Sequence, residues 1–410
     1  MDNLTHTLVG LLVGEAAAQR AGDAQGRLPA GTRRALLVST MVIGSNLPDA
    51  DLLYSGFGGA RLGYLLQHRG YTHTVVGALI AAALMYGAWE LWLRQRRLIP
   101  SSAERVWLLA VAITGPLLHL TMDFTNSYGV HPFWPFYDGW LYGDSVFIVE
   151  PLLWAAAAPL VFQLRTLAAR TFVALALVVG ILLAIETGLV PPSLCVVLVS
   201  LTAGMLLIGY LTPARTAVAL GITVWLGMTA VFATAGRAAA AQLESYARVR
   251  FPHAVTLDHA LTPMPADPLC WEALLIQREG DSYVTRRAVL SLAPSWVEAA
   301  RCPNVAFRAP TRAPLQAVAD AGSDRLSWHG EFSMPSEGLK TLAATNCEMA
   351  AFLRFARAPW AAAEAGQWEI GDLRFGGGGI AALRLSAPAI CPRFVPPWLP
   401  PRADVIGSLE

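Results

Sequence analysis

The chain has 410 residues, 55% of them hydrophobic and only 14% charged, with a mean hydropathy of +0.46. Soluble globular proteins carry about 25% charged residues, so much of this chain is expected to lie in lipid. A formal net charge of only +1 argues, on bulk electrostatics, against a nucleic-acid partner.

The opening Met1-Asp2-Asn3-Leu4-Thr5-His6 lacks a basic segment and a small-residue cleavage site, so the first apolar stretch is expected to be retained. Apolar runs follow at 4–18, 35–53, 74–93, 106–122, 146–164, 171–189, 193–210 and 217–235. A span needs about 20 apolar residues. The first two runs are short or interrupted and read as re-entrant or tilted, and the other six as ordinary spans. The expectation is an α-helical polytopic domain of about eight helices. Residues 1–165 carry the chemistry, 166–236 add helices, and 241–410 form a soluble α+β domain. The composition turns polar near Gly236. Tyr283–Leu290 reads as a strand, 339–344 and 349–357 as short helices. Trp271, Trp328, Trp360 and Trp368 are expected in that domain's core. The four glycines Gly376–Gly379 lack a following Lys-Ser/Thr and read as a loop.

Alternate connections are rich in arginine: Arg20, Arg27, Arg33 and Arg34, then Arg94, Arg96, Arg97 and Arg105, then Arg165 and Arg170, then Arg215. Basic loops stay in the cytoplasm. The other ends, with Asp49, Asp51, His68, His73, Asp123, Asp138 and Asp144, are expected outside, together with the C-terminal domain. Cys270, Cys302, Cys347 and Cys391 fall in that domain, and an even count outside the cell allows two disulfides in any of three pairings. Cys195 falls within a span.

The chemistry gathers at the acidic ends. His6 begins the first run and Asn46-Leu47-Pro48-Asp49-Ala50-Asp51 ends the second. His68-Arg69-Gly70-Tyr71-Thr72-His73 precedes the third, and His119 and Asp123 end the fourth. Helix direction alone brings these ends to one membrane face. His119 and Asp123, four apart on a helix, share a face and can chelate one ion. Pro48 breaks the helix before Asp49, Gly70 permits a tight turn between His68 and His73, and Thr72 or Thr5 can cap a helix and hold a neighbouring His. A single His at a helix end is more often a dipole partner than a ligand. Several ionisable groups near lipid are costly unless paired or metal-bound, which favours a shared ion. The expected ligands are His6, Asp49, Asp51, His68, His73, His119 and Asp123. Imidazole and carboxylate donors suit zinc first, with manganese or iron as alternatives. His131 reads as an interfacial residue or a distant ligand, Glu15 and Glu186 as bundle-facing hydrogen-bond partners, and Glu90 as the partner of Arg94.

Four strings, Asp2-x-x-Thr5-His6, Asn46-Leu47-Pro48-Asp49-x-Asp51, His68-Arg69-Gly70-x-Thr72-His73 and His119-x-x-x-Asp123, resemble the YdjM-like family of bacterial inner-membrane, metal-dependent hydrolases. The resemblance covers roughly residues 1–160, with 142–152 extending it. The family is distantly similar to zinc-dependent phospholipase C and P1-type nuclease, helical enzymes that split phosphodiesters with a zinc cluster. That implies one to three ions here. Those enzymes open on a Trp whose amine binds metal, and Met1 supplies no such residue; a late His-x-x-x-Glu pair is also missing, with only Glu150 to stand in. The expectation is a membrane-bound hydrolase acting on a small-molecule or lipid phosphoester, with Asp49, Asp51 and Arg69 in catalytic roles. The alternatives are a transporter and a scaffold with a structural metal.

Overall fold

The computed structural model describes residues 1–22, 26–55, 60–303, 312–364, 366–376 and 381–407. Helices α1 (Asn3–Ala21) and α2 (Ala30–Gly44) pack antiparallel, and Arg34 of α2 pairs with the buried Glu15 of α1 at 2.6 Å. A 3-10 segment (Leu47–Asp51), α3 (Leu52–Ser55), α4 (Ala60–Gln67) and a 3-10 turn (Tyr71–His73) lead into α5 (Val75–Gln95) and α6 (Ser102–Phe124). Thr74 caps α5, and Ser101 with Glu104 forms a capping box on α6, which satisfies amide donors that a helix start leaves free. The remaining helices are α7 (Pro151–Ala155), α8 (Leu160–Gln163), α9 (Leu167–Glu186), α10 (Pro192–Leu211) and α11 (Ala214–Arg250).

Among the described residues, α5, α6, α9, α10 and α11 are long and apolar enough to cross a membrane. Their outward side chains are apolar, as Leu79, Ile80 and Leu84 of α5 and Leu175 and Leu182 of α9 show. Three of the eight runs are not among these, and one of the three, 146–164, was expected to be an ordinary span. Helix α2, with 15 residues, reaches only about 22 Å at 1.5 Å per residue. Helix α1 buries most of its length, including Glu15 and His6. The 146–164 run is not an ordinary span: it folds as α7 and α8, separated by a turn ending at Pro159. Its 13 apolar residues are too few to cross. The broken backbone is buried against α1, α9, α10 and α11, the setting in which such breaks are tolerated at membrane depth.

The composition change at Gly236 falls inside α11, whose 37 residues extend about 55 Å. Its last turns leave the bundle and bury Ala239, Leu243 and Ala247 against Trp271, Leu275 and Leu290. Those residues belong to an antiparallel sheet of β1 (Ala254–Met264), β2 (Asp267–Glu279), β3 (Ser282–Ser291) and β4 (Leu326–Pro335), in that order. A second antiparallel sheet holds β5 (Pro359–Glu364), β6 (Gln367–Asp372) and β7 (Ala382–Arg384). Between and after them lie α12 (Ser336–Thr345), α13 (Cys347–Leu353) and α14 (Ala403–Ile406). Trp271 and Trp360 are fully buried, whereas Trp328 is half-buried and Trp368 is 38% exposed on β6. The disulfides are Cys270–Cys302 and Cys347–Cys391, and Cys195 is a free thiol in α10. The glycines after Gly376 lie outside the described residues.

The two halves interlock at the end of the bundle that carries the acidic motifs. The 125–150 connection sends Tyr128 and Trp140 into the core formed with Phe355, Trp360 and Trp398. Arg357 binds Asp144 and Asp258, each at 2.9 Å. Glu90 pairs with Arg105 at 3.1 Å rather than with Arg94; α5 and α6 pack antiparallel, so a residue across the hairpin lies nearer than the next turn.

Candidate metal centre

Each donor is delivered by a specific local device. Asp2 caps α1 by accepting from the amides of Leu4 and Thr5, which fixes the first turn and with it His6. Helix α2 stops at Gly44, and Ser45 donates its hydroxyl to the His6 carbonyl at 3.0 Å. Pro48 opens the 3-10 segment that carries Asp49 and Asp51. Helices α2 and α6 touch at glycines: a Cβ on Gly115 would stand 2.9 Å from the Gly44 Cα. That close crossing lets the Ser45 carbonyl meet His119 Nδ1 at 2.8 Å. In the turn between His68 and His73, the left-handed residue is Arg69, with φ of 60°, while Gly70 keeps a negative φ. Gly70 is needed for space, since a Cβ there would meet the Gln67 carbonyl at 2.8 Å.

Four side chains converge. His73 Nε2 lies 3.0 Å from His119 Nε2, 3.3 Å from Asp49 Oδ1 and 3.2 Å from Asp123 Oδ2. His119 Nε2 lies 3.4 Å from each of the same two carboxylate oxygens. Donors at about 2.0–2.1 Å around a tetrahedral ion stand about 3.3 Å apart. The observed separations match that edge length, so Asp49, His73, His119 and Asp123 can hold a metal ion. Asp49 is the most accessible of the four, at 8% exposure, and the others are fully buried. Burial opposes charge on His73, yet hydrogen bonds with Asp123, Asp49 and Asp51 outweigh it and raise the imidazole to about 10. The cage therefore favours positive charge at its centre.

A second layer sets the orientation. Asp51, fully buried, accepts from the Arg69 amide at 2.9 Å and the Thr72 hydroxyl at 3.1 Å, and faces His73 Nδ1 at 3.3 Å and His68 Nδ1 at 3.0 Å. A carboxylate behind a ligating imidazole fixes its tautomer and ring plane. The Ser45 carbonyl does the same for His119. Arg69 grips Asp123 with Nε and Nη2, both at 3.0 Å, and Asn126 with Nη1 at 2.9 Å. Its guanidinium is thus engaged by protein groups. His6 stacks on His119 with ring centroids 3.8 Å apart and reaches Asp123 at 3.2 Å. The Met1 amino group lies buried against Asp123 as well, a contact that sequence reasoning did not foresee.

Asp49, Asp51 and His68 form a second set that could hold an ion, and His68 is the partly exposed member. The seven expected ligands therefore meet at one place, with Asp49 shared by both sets and His6 outside each. His131 and Glu150 belong to neither set. His131 bonds the Arg69 carbonyl, and Glu150 caps α7 and accepts from the Ala266 amide at 3.0 Å. Sequence reasoning missed Ser45 and Asn126. A polar residue just beyond a helix that ends in the motif region was the available signal for both.

No curated protein and no solved structure matches this chain, so the wider likeness to phospholipase C and P1-type nuclease gains no support from comparison. The motif resemblance is upheld for the region that holds the cluster: residues 1–190 match the family described as YdjM inner membrane protein.

Proposed function

We propose that residues 1–190 form a membrane-bound, metal-dependent hydrolase that acts on a phosphoester, with a lipid-linked phosphoester as the preferred class. The observation that carries this reading is the convergence of two imidazoles and two carboxylates at tetrahedral-edge distances, with Asp51 and the Ser45 carbonyl behind the two imidazoles. Zinc is the preferred ion for this donor set, with manganese and iron behind it. A divalent ion held there supplies Lewis acidity and makes water nucleophilic at neutral pH. Asp49, the most accessible of the four, would help hold the ion and would serve as the general base. Asp51 and Arg69 act through His73 and Asp123 by holding them in position. The arginine-rich connections lie at the opposite ends of the helices, and with the two disulfides this supports an extracytoplasmic site and C-terminal domain.

A second reading has a specific observation behind it. Four protein donors in a nearly closed pocket also describe a structural metal. Hydrolysis separates the two. The full chain is reconstituted in vesicles with lipid phosphomonoesters, phosphodiesters and pyrophosphates, with and without zinc or manganese. Release of phosphate or headgroup that requires the ion and falls at least about 100-fold in Asp49→Ala supports the hydrolase. Metal-replete protein that cleaves none of the three classes leaves the structural metal in its place.

A further inference from the structure

The C-terminal half comes up to the cluster along the segment that follows β7. After β7 the chain runs without regular structure from the Cys347–Cys391 disulfide to α14. This strap lies across the turn that joins α4 to α5. Gln67 donates to the Phe394 carbonyl at 3.2 Å, the Leu399 amide to the Asp138 carbonyl at 3.1 Å, and Arg354 to the Trp398 carbonyl at 3.1 Å. At its centre Trp398 is fully buried. The indole stacks on His131 with centroids 3.9 Å apart and planes 21° apart, and Trp140 packs on the same imidazole at 3.8 Å. Trp398 also meets Tyr71 at 5.0 Å and stands 3.6 Å from where a Gly70 Cβ would be.

His131 passes this packing inward. Burial keeps the imidazole neutral, pushed down to about 3, and its Nδ1 lies 3.3 Å from the Arg69 carbonyl. A neutral imidazole facing a carbonyl presents its N–H. Arg69 holds a left-handed backbone, with φ of 60°, which costs a side-chain-bearing residue energy and persists where the surroundings over-determine it. Its carbonyl is fixed by His131, its amide by Asp51 and its guanidinium by Asp123. One residue therefore joins the strap to a ligand carboxylate and to the carboxylate behind His73.

We propose that Trp398 is a positioning residue for the metal centre, acting through His131 and the Arg69 backbone, so that the C-terminal domain completes a site whose ligands all lie in the N-terminal half. The proposal rests on the metal reading above. It also gives the sheet domain a task, since that domain is the scaffold on which the strap is hung.

The test uses the full-length protein in detergent, loaded with Co2+ as a spectroscopic stand-in. Outer-layer changes typically lower metal affinity 10–100-fold. Trp398→Ala is expected to weaken Co2+ binding by at least about 10-fold and to alter the d–d absorption envelope, while Trp398→Phe, which keeps a ring on His131, stays near wild type. A native spectrum and affinity in Trp398→Ala overturns the proposal and leaves the metal reading intact. A wild-type protein that binds no Co2+, Zn2+ or Mn2+ overturns both. Should Trp398→Ala fail to fold, His131→Ala and His131→Asn pose the question one step nearer the ion. The amide of Asn can still donate to the Arg69 carbonyl, so Asn is expected to restore what Ala loses. Equal, native binding in both variants overturns the proposal.

Discussion

Replacing Asp51 with Asn changes one atom of a fully buried side chain and leaves every proposed ligand of the four-residue set in place. The carboxylate faces four groups: the Arg69 amide at 2.9 Å, His68 Nδ1 at 3.0 Å, the Thr72 hydroxyl at 3.1 Å and His73 Nδ1 at 3.3 Å. A carboxamide keeps one accepting oxygen and turns an N–H2 toward whichever groups faced the other. Hydrogen bonds to a charged group contribute about 1.5–3 kcal/mol each; the exchange disturbs the one to His68 in one amide orientation and up to three, those of Arg69, Thr72 and His73, in the other. The His73 ring loses its fixed tautomer in one of the two amide orientations. Outer-layer losses of this kind weaken metal binding about 10–100-fold, or about 1.4–2.8 kcal/mol. Competition titration with a chromophoric chelator measures this directly. A fall in affinity at constant stoichiometry is expected if Asp51 acts behind His73. A loss of one ion per chain assigns Asp51 to a second ion with Asp49 and His68. Affinity and stoichiometry both within twofold of wild type would refute the role given to Asp51.

Other perturbations reach the site or its supports from further away. Gly115→Ala places a methyl 2.9 Å from the Gly44 Cα and 3.2 Å from the Ser45 amide. Overpacking of this kind costs about 1–3 kcal/mol; thermal unfolding in detergent should show the loss, and metal affinity should fall with it because the Ser45 carbonyl holds His119. An unchanged midpoint with native affinity contradicts the close crossing. Burial pushes Glu150 from 4.5 up to about 8, although the amides of Leu152 and Ala266 favour its charged form. The folded state then binds the proton more tightly than the unfolded chain, so stability declines as pH rises from about 4.5 to about 8. Glu150→Gln should flatten that decline, leaving stability near pH 5 little changed and raising it at pH 8 relative to wild type. Identical slopes in the two proteins would count against a neutral buried Glu150.

The cluster was legible because its determinants are local or topological. His119 and Asp123 share a helix face by spacing, Pro48 ends a helix by covalent geometry, and chain direction carries alternate helix ends to one side. The division of labour within it was not legible. Asp49 and Asp51 look alike in sequence, and only the 3-10 geometry sends one toward the centre and the other behind His73. The turn at His68 to His73 read as a glycine turn, yet Arg69 takes the left-handed conformation, where Asp51, Asp123, Asn126 and His131 hold it. Hydropathy overcounted one span: 146–164 is apolar because it is buried in protein, and burial in protein and in lipid leave the same trace in composition. The same property hid the true end of α11. Gly236 marks where the environment turns polar, whereas the alanine-rich 238–241 stretch that follows carries the helix on to Arg250. Trp398 lies about 330 residues from the turn it packs on, and nothing local announces such a contact.

Metal content is the most direct test. The full-length chain is purified in detergent without chelator, and bound metal is quantified by mass spectrometry beside His119→Ala, Asp123→Ala and Glu90→Ala, the last a control remote from the cluster. At least one stoichiometric divalent ion is expected in the wild type and the control, and loss of that ion in the two cluster variants. A wild type that stays metal-free after incubation with zinc or manganese, or cluster variants that retain as much as the control, would contradict the metal reading.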